Sequence, residues 1–266
     1  MNTEAFAREA RVRIIRTIAG AGLGHVGGDL SVIDILSVLY GEVLEFDPER
    51  PDWPERDRCV LSKGHAAVSF YTTLAKSGYF DEEELTTFVQ PMSRLNGHPS
   101  RGKVAGVETS TGPLGHGLPV AVGMAIGARL QDASWRTFVV TGDGELQEGS
   151  NWEAAMLAGH RRLGNLTCIV DRNGLQQGAR TDDTNSLSPL DDKFRAFGWD
   201  AVMVDGHDLA ALRDVLTTPH ERPLAVIANT IKGRGVSFME DLPVWHHKVP
   251  TPEQVDAAIA EIEATA

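Results

Sequence analysis

Asp143 and Asn173 are the two residues whose types and positions best suit the binding of a metal ion. Each comes shortly after an apolar run rich in β-branched residues, at 135–140 and 166–170, and both runs predict buried parallel strands. The two side chains are therefore expected at one edge of a sheet, where α/β folds bind ligands. Together with the backbone carbonyl of Leu175 they offer hard oxygen ligands, which suit Mg²⁺ or Ca²⁺ better than a transition metal.

Gly142 and Gly144 flank this aspartate and allow the backbone to approach a ligand closely. The helical pattern that follows, from Asn151 to Ala158, would present unpaired N–H groups to an anion at its N-terminus. The chemistry indicated is a divalent cation that holds a diphosphate.

The spacing of these residues resembles a known motif. Gly-Asp-Gly at 142–144 is separated from Asn173 by residues 145–172, as in the thiamine diphosphate and Mg²⁺ motif, and the continuation Leu-Gln-Glu-Gly at 146–149 is similar to that of the transketolase family. Asp-Gly by itself is a common turn. The two flanking strands and the correctly spaced asparagine favour the site over the turn.

Other stretches along almost the whole chain resemble the same family. They are Gly24-His25 with Gly27-Gly28, Ser62-Lys-Gly-His-Ala66, Gly97-His98-Pro99, Thr111-Gly-Pro-Leu-Gly-His-Gly117 and Trp245-His246. A formal GxGxxG at 22–27 follows a helix rather than a strand, so it does not predict dinucleotide binding.

The resemblance implies roles for these residues. Asp143, Asn173 and Leu175 would bind the metal. The residues implied in binding the diphosphate or thiazolium are Gly112, Leu114, Gly142, Gly144, Glu145, Asn173, His65 and His246. His25 and His98 would manage the protons of the donor hydroxyls, since imidazole titrates near neutrality. Glu148 is implied as a relay between two active sites. The alternative is that this carboxylate only stabilises the helix start through the helix dipole.

Two positions depart from the family pattern. His116 stands where the family more often has Gln, and His247 stands where split transketolases tend to have Gly.

Lys63 and Lys232 are candidates to neutralise phosphate charge or, equally, solvated lysines. His160, His207 and His220 have no counterpart and are interpreted as surface or helix-end residues.

The elements that must position these residues indicate one α/β domain over residues 1–266, a doubly wound, mainly parallel sheet flanked by helices. Helices are expected at 3–20, 32–40 with Ser31 as N-cap, 66–77, 81–88 and 118–130, and residues 176–191 are expected to form a loop.

The composition excludes several classes of protein. With 42% hydrophobic and 23% charged residues the chain is an ordinary globular protein, and its net charge of −12 argues against nucleic-acid binding. Apolar runs are too short to span a membrane, the N-terminus does not resemble a signal peptide, and two cysteines without a CxxC pattern fit a reducing, cytoplasmic location.

The resemblance covers the diphosphate-binding portion of transketolase and implies that a second, pyrimidine-binding C-terminal subunit completes the site, in an α2β2 heterotetramer. The implied reaction is two-carbon ketol transfer between sugar phosphates. Two alternatives stay open at this point: a subunit of another thiamine-dependent carboligase or 2-oxo acid decarboxylase, and a non-catalytic cofactor-binding homologue. Donor and acceptor are not determined by the sequence.

Overall fold

The computed structural model describes residues 2–264, in which helices alternate with short strands. The helices are α1 (Thr3–Ala21), α2 (Val26–Val38), α3 (Ala67–Lys76), α4 (Gly117–Leu130), α5 (Gly149–Arg161), α6 (Thr181–Asn185), α7 (Leu190–Ala196), α8 (Leu209–Thr217) and α9 (Pro252–Ala264). The strands are β1 (Arg58–Leu61), β2 (Thr137–Gly142), β3 (Leu166–Arg172), β4 (Leu175–Gln176), β5 (Ala179–Arg180), β6 (Asp200–Asp205) and β7 (Leu224–Asn229).

Within residues 2–264, five strands form one sheet in the order β1-β2-β3-β7-β6, and each neighbouring pair is parallel. The chain runs from the edge strand β1 through β2 to the central β3, then crosses to the far edge at β6 and returns to β7. This reversal creates a switch point beside β3, where open α/β sheets bind ligands. The predicted doubly wound, parallel α/β fold is confirmed.

Helices cover both faces of the sheet. One apolar cluster joins α1, α2, α3, α8 and α9 to one face, and a second joins α4, α5 and α7 to the other. Because both faces are covered, β2 is buried over its whole length and its side chains are apolar or small on both sides. The helices packed on both faces therefore hold β2 and β3 in place and fix the direction in which these strands end.

Three local predictions were wrong. Helix α2 begins at Val26 with His25 as its N-cap, so Ser31 lies inside the helix and does not cap it. The acidic segment at 82–87 forms a 3-10 turn, and the expected loop at 176–191 contains the β4–β5 hairpin and α6. Gly27 and Gly28, at the start of α2, predict a loop because glycine has a low helix propensity. They are helical here because this first turn of α2 is buried within the protein.

None of the helices between residues 2 and 264 is long and apolar enough to cross a membrane. Cys59 in β1 and Cys168 in β3 are both free and buried.

Candidate functional site

The ends of β2 and β3 bring the three predicted metal ligands together. In the parallel register Gly142 pairs with Asp171, so the residues that follow each strand leave the sheet side by side. The Gly174 N–H, directly after Asn173, donates to Asp143 Oδ2 at 2.8 Å. Asp143, Asn173 and Leu175 line the same cavity of about 380 Å³, and metal binding by them stays a prediction.

The donor set fits a hard cation. Among the residues that the structure describes, no group of three or more His, Cys, Asp or Glu side chains is arranged to hold a metal ion. A cation here would rely on one carboxylate, one amide oxygen, one backbone carbonyl and the oxygens of a ligand, as expected for Mg²⁺ with a phosphate. Burial, and then the nearby Asp171, raise the pKa of Asp143, and a bound cation would offset both effects.

Glu145 holds two parts of the cavity wall together. Its Oε1 accepts hydrogen bonds from Ser62 Oγ at 2.5 Å and from the Gly115 N–H at 3.0 Å, and its Oε2 accepts one from the Gly142 N–H at 3.0 Å. The side chain is buried and lines the cavity. The carboxylate therefore fixes the loop before α4 against the end of β2, whether or not it also touches a cofactor.

Four predicted histidines line the same cavity: His25, His65, His98 and His246. The ring centroids of the three inner histidines, His25, His65 and His246, lie 5.3 to 5.5 Å apart. Burial is the main cause that lowers the pKa of His25 to about 4 and that of His246 to about 3. These rings are consequently neutral at physiological pH and can accept protons or hydrogen bonds from a ligand.

The remaining predicted cofactor contacts surround these histidines. Gly112 has a φ of +130°, and a Cβ at this position would lie 3.0 Å from the His98 ring. The Gly112 backbone therefore lies directly against that ring. Gly144 and Leu114 also line the cavity, and Glu148 lines its mouth while exposed to solvent. The structure thus brings the predicted site residues into one cavity, although contact with a cofactor stays a prediction.

The two lysines are both buried, so the interpretation of them as solvated lysines was wrong. Lys63 Nζ forms a buried ion pair with Asp171 and donates to the Gly28 carbonyl. Lys232 Nζ donates to the Leu175 carbonyl at 3.2 Å and to His246 Nδ1 at 2.8 Å. Its direct partners are neutral, which leaves its charge for a ligand in the cavity that it lines.

Asp171, near the end of β3, is a buried residue of this site that was not predicted from the sequence. Burial alone would raise the pKa of Asp171, but the Lys63 ammonium and the Ser31 and Thr230 hydroxyls lower it. Ser31 Oγ donates to Asp171 Oδ2 at 2.7 Å, and Thr230 Oγ1 donates to Oδ1. The signal available was a carboxylate at the end of a buried strand, which needs partners.

His207 was interpreted as a surface or helix-end residue, and the structure places it at a helix end but with a buried side chain. It precedes α8, but only 8% of its side chain is exposed, and its Nδ1 donates to Asp34 Oδ2 at 2.7 Å. Its Nε2 accepts the Ile231 N–H at 2.8 Å, directly before Lys232. His207 therefore helps to fix the segment that carries this lysine, whereas His160 is exposed and His220 is partly exposed.

The two departures from the family pattern have different surroundings. The exposed His116 makes a 3.0 Å hydrogen bond from Nδ1 to the Leu114 carbonyl, within its own loop. His247 is also exposed, but its ring centroid lies 4.7 Å from that of His25. Both departures thus contact a residue that lines the cavity, His116 through the Leu114 backbone and His247 through the ring of His25.

A larger cavity of about 800 Å³ lies elsewhere, between α1, α9 and the residues around Arg234. Its charged walls carry both signs, and Arg11 there is already paired with Asp34 at 2.5 Å. The cavity at the strand ends is the better candidate site, because it gathers buried groups with shifted pKa values at the switch point of the sheet.

Comparisons with known proteins agree with this geometry. Residues 3–253 match the family model described as the thiamine diphosphate binding domain of transketolase. The chain is 45% identical to a subunit of apulose-4-phosphate transketolase from Actinobacillus succinogenes, over 99% of this chain and 96% of that protein. It is 40% identical to 6-deoxy-6-sulfo-D-fructose transketolase subunit SqwG of a Clostridium species, over 97% and 94%.

Solved structures show the same arrangement. The crystal structure of transketolase from Campylobacter jejuni superposes with a TM-score of 0.93 at 30% identity, over 99% of this chain and 43% of that chain. Transketolase from Leishmania mexicana gives 0.92 at 30% identity, over 99% and 41%. The chain therefore spans less than half the length of these solved proteins.

Proposed function

This chain belongs to the transketolase family, through its thiamine diphosphate-binding domain, and we propose that it is the N-terminal subunit of a two-chain transketolase. The relatives of similar length are named as subunits of a transketolase, not as the whole enzyme. The single observation that carries the proposal is that the cavity at the strand ends gathers Asp143, Asn173, Lys232 and the neutral histidines.

Thiamine diphosphate, when bound, would supply a carbon nucleophile and an electron sink for the transferred ketol group. Asp143, Asn173 and the Leu175 carbonyl would hold Mg²⁺, or Ca²⁺ in its place. Lys232, which lines the cavity, would place its charge against the diphosphate. These groups fix the cofactor without taking part in the ketol transfer itself.

The histidines would handle protons. His25 and His98 would accept and return the protons of the donor's hydroxyl groups, which requires neutral rings of the kind that burial produces at His25. His65 and His246, whose rings contact that of His25, would orient the thiazolium and the substrate. We assign the donor to ketoses with an anionic end group, since one relative is named for a phosphorylated sugar and another for a sulfonated one.

The partner would be a C-terminal, pyrimidine-binding subunit that supplies the carboxylate facing the aminopyrimidine, in an α2β2 complex. The outer surface of α4 and α5 supports this assembly. Val120 and Gly123 on α4, and Met156 and Leu157 on α5, are exposed there and form what we term the α4–α5 face. Glu148, at the N-terminus of α5, connects this face with the cavity mouth, so a partner bound there would cover the cofactor.

The free thiols of Cys59 and Cys168 support a reducing compartment, and we propose a cytoplasmic location. The proposed domain organisation assigns residues 1–266 to the diphosphate-binding domain.

Reconstitution tests the function. This chain purified alone should show no ketol transfer, and addition of the C-terminal transketolase subunit from the same genome should produce it, because the aminopyrimidine carboxylate then completes the site. Transfer from a phosphoketose to an aldose phosphate, measured by coupled NADH oxidation, is the readout. Pyruvate serves as the alternative donor, and turnover of pyruvate alone would identify a different carboligase or decarboxylase.

Leu157→Asp is the interface control for this reconstitution, with Leu130→Asp at the far end of α4 as its matched surface variant. The first substitution should raise the concentration of partner needed for half-maximal activity at least about tenfold, whereas the second should change it little. Full turnover by the isolated chain, or cofactor binding by the pair without any turnover, would contradict the proposal.

Binding of the cofactor should weaken with rising pH through Lys232. Burial, and then the neighbouring Lys63, lower the pKa of Lys232 to about 8, so its ammonium is present at pH 7 and largely lost at pH 9. Above that pKa a proton must be taken up on binding, and the affinity for Mg²⁺-thiamine diphosphate should fall by up to about tenfold per pH unit. Calorimetric titration of the reconstituted pair between pH 7 and 9 measures the slope.

Lys232→Met should bind the cofactor weakly with a flat profile over this pH range. The matched control is Lys248→Met, which removes an exposed lysine near the same turn and should keep the wild-type slope. An unchanged slope in Lys232→Met would show that another group titrates.

A further inference from the structure

The packing of Trp245 against the start of α2 places His247 beside the cavity. Trp245 is buried, and its Nε1 donates to the Phe238 carbonyl at 2.8 Å. A Cβ at Gly27 would lie 2.9 Å from the Trp245 carbonyl, so the two backbones touch directly at this point. The residues after Trp245 therefore lie against the N-terminus of α2, whose N-cap is His25.

Because of this packing, the ring of His247 contacts the ring of His25. Its ring stands edge-on to His25, with 4.7 Å between centroids and an interplanar angle of 79°. The backbone φ of His247 is −136°, an ordinary conformation for any residue, so the position does not require the glycine that split transketolases tend to have. His247 is exposed, and the ring that it contacts, His25, lines the cavity.

We propose that His247 is a further donor-binding residue, which forms with His25 an imidazole pair that contacts the hydroxyl oxygens of the ketose where the donor extends from the cavity to the surface. This inference rests on the proposed function. A donor bound against the inner histidines would contact His25, and His247 is an exposed ring in direct contact with that histidine. An imidazole N–H there can donate to a sugar oxygen, which glycine cannot do.

The pair also affects the charge of His25. The side chains that lower the pKa of His25 or contact its ring are basic: His65, His98, His246, His247, Lys63 and Lys232. The acidic group nearby is Asp29, one turn along α2; its Oδ1 accepts a hydrogen bond from the Ser69 N–H at 2.7 Å, and the His25 backbone also interacts with this carboxyl. Burial is the largest cause that lowers the pKa of His25 to about 4, and His247 is the second.

Kinetics of the reconstituted pair test the contact. In His247→Gly the KM for the ketose donor should rise about tenfold, as expected for the loss of one hydrogen bond, while kcat changes less than about threefold. His247→Gln keeps an N–H donor and should restore most of the KM. His160→Ala, which removes an exposed histidine on α5 far from the cavity, should leave both constants unchanged.

The titration of His25 supplies a second readout that a merely structural role would not change. With ring-¹³C histidine in the full chain, the pKa of His25 should rise in both His247→Gly and His247→Gln, because His247 is the second cause that lowers it. Both variants remove the imidazole that faces His25, but only the Gly variant loses the N–H donor. Unchanged KM and unchanged His25 titration in His247→Gly would overturn the proposal.

The two proposals fail in different ways. Absence of ketol transfer in the wild-type pair would overturn the proposed function, and the donor contact with it. Ketol transfer in the wild-type pair with a KM for His247→Gly equal to that of the wild type would overturn the donor contact alone.

Discussion

Asp171→Ala should lower the free energy of unfolding by about 3–5 kcal/mol, the cost of leaving a buried charge without its partner. Lys63 is 1% exposed and pairs with this carboxylate, and the Gly28 carbonyl is its other partner. The same carboxylate also accepts hydrogen bonds from Ser31 and Thr230. Removing it leaves one ammonium and two hydroxyls in a dry interior.

Urea denaturation of the chain, followed by circular dichroism at pH 7, measures this loss. The matched control is Asp171→Leu combined with Lys63→Met, which removes both charges and should recover much of the stability, because breaking a buried pair costs more than replacing it. A single variant within about 1 kcal/mol of the wild type would show that the pair contributes little.

Asp143→Asn should weaken binding of Mg²⁺-thiamine diphosphate by more than about 100-fold and abolish ketol transfer by the pair. Changes in the groups that merely orient metal ligands cost about 10–100-fold in metal affinity, and loss of the charged ligand itself should exceed that. Asparagine keeps the size of the side chain and one oxygen to accept the Gly174 N–H, so the fold should persist.

Thiamine diphosphate binding, measured by calorimetry with and without Mg²⁺, checks this expectation in the reconstituted pair. Thr181→Val is the control, because it removes only the 3.2 Å hydrogen bond that the Thr181 hydroxyl donates to Asp143. That variant should lose affinity by less than about tenfold. Equal metal-dependent binding by Asp143→Asn and the wild type would place the cation elsewhere.

The sequence by itself determined the elements with strong periodicity and what lies at their ends. The runs before Asp143 and Asn173 could belong only to buried strands, and parallel strands end at a common edge, so the meeting of these two residues followed from local pattern alone. The family motifs then predicted which histidines share the site. These inferences succeeded because each needs only a few consecutive residues and a regular backbone.

Tertiary structure decided which polar side chains are buried and what they contact. Ser31 reads as a helix cap in sequence, but it lies within α2 and donates to Asp171, on β3. His207 was interpreted as a surface or helix-end residue, and its contacts with Asp34 and the Ile231 N–H were not predicted. The periodic pattern of a sequence does not predict which distant residue a polar side chain will contact. The partners here are 140 positions apart for Ser31 and Asp171 and 173 for His207 and Asp34.

The same limit applies to the lysines and to His247. Lysine side chains are usually solvated, and the sequence around Lys63 and Lys232 does not show that they are buried. The packing around them excludes water and, for Lys232, lowers the pKa. His247 appeared in the sequence as a departure from a family pattern, and the contact with His25 became visible once Trp245 was placed against α2. Local sequence fixes where strands and helices end, whereas burial and charge pairing depend on which of those ends the fold brings together.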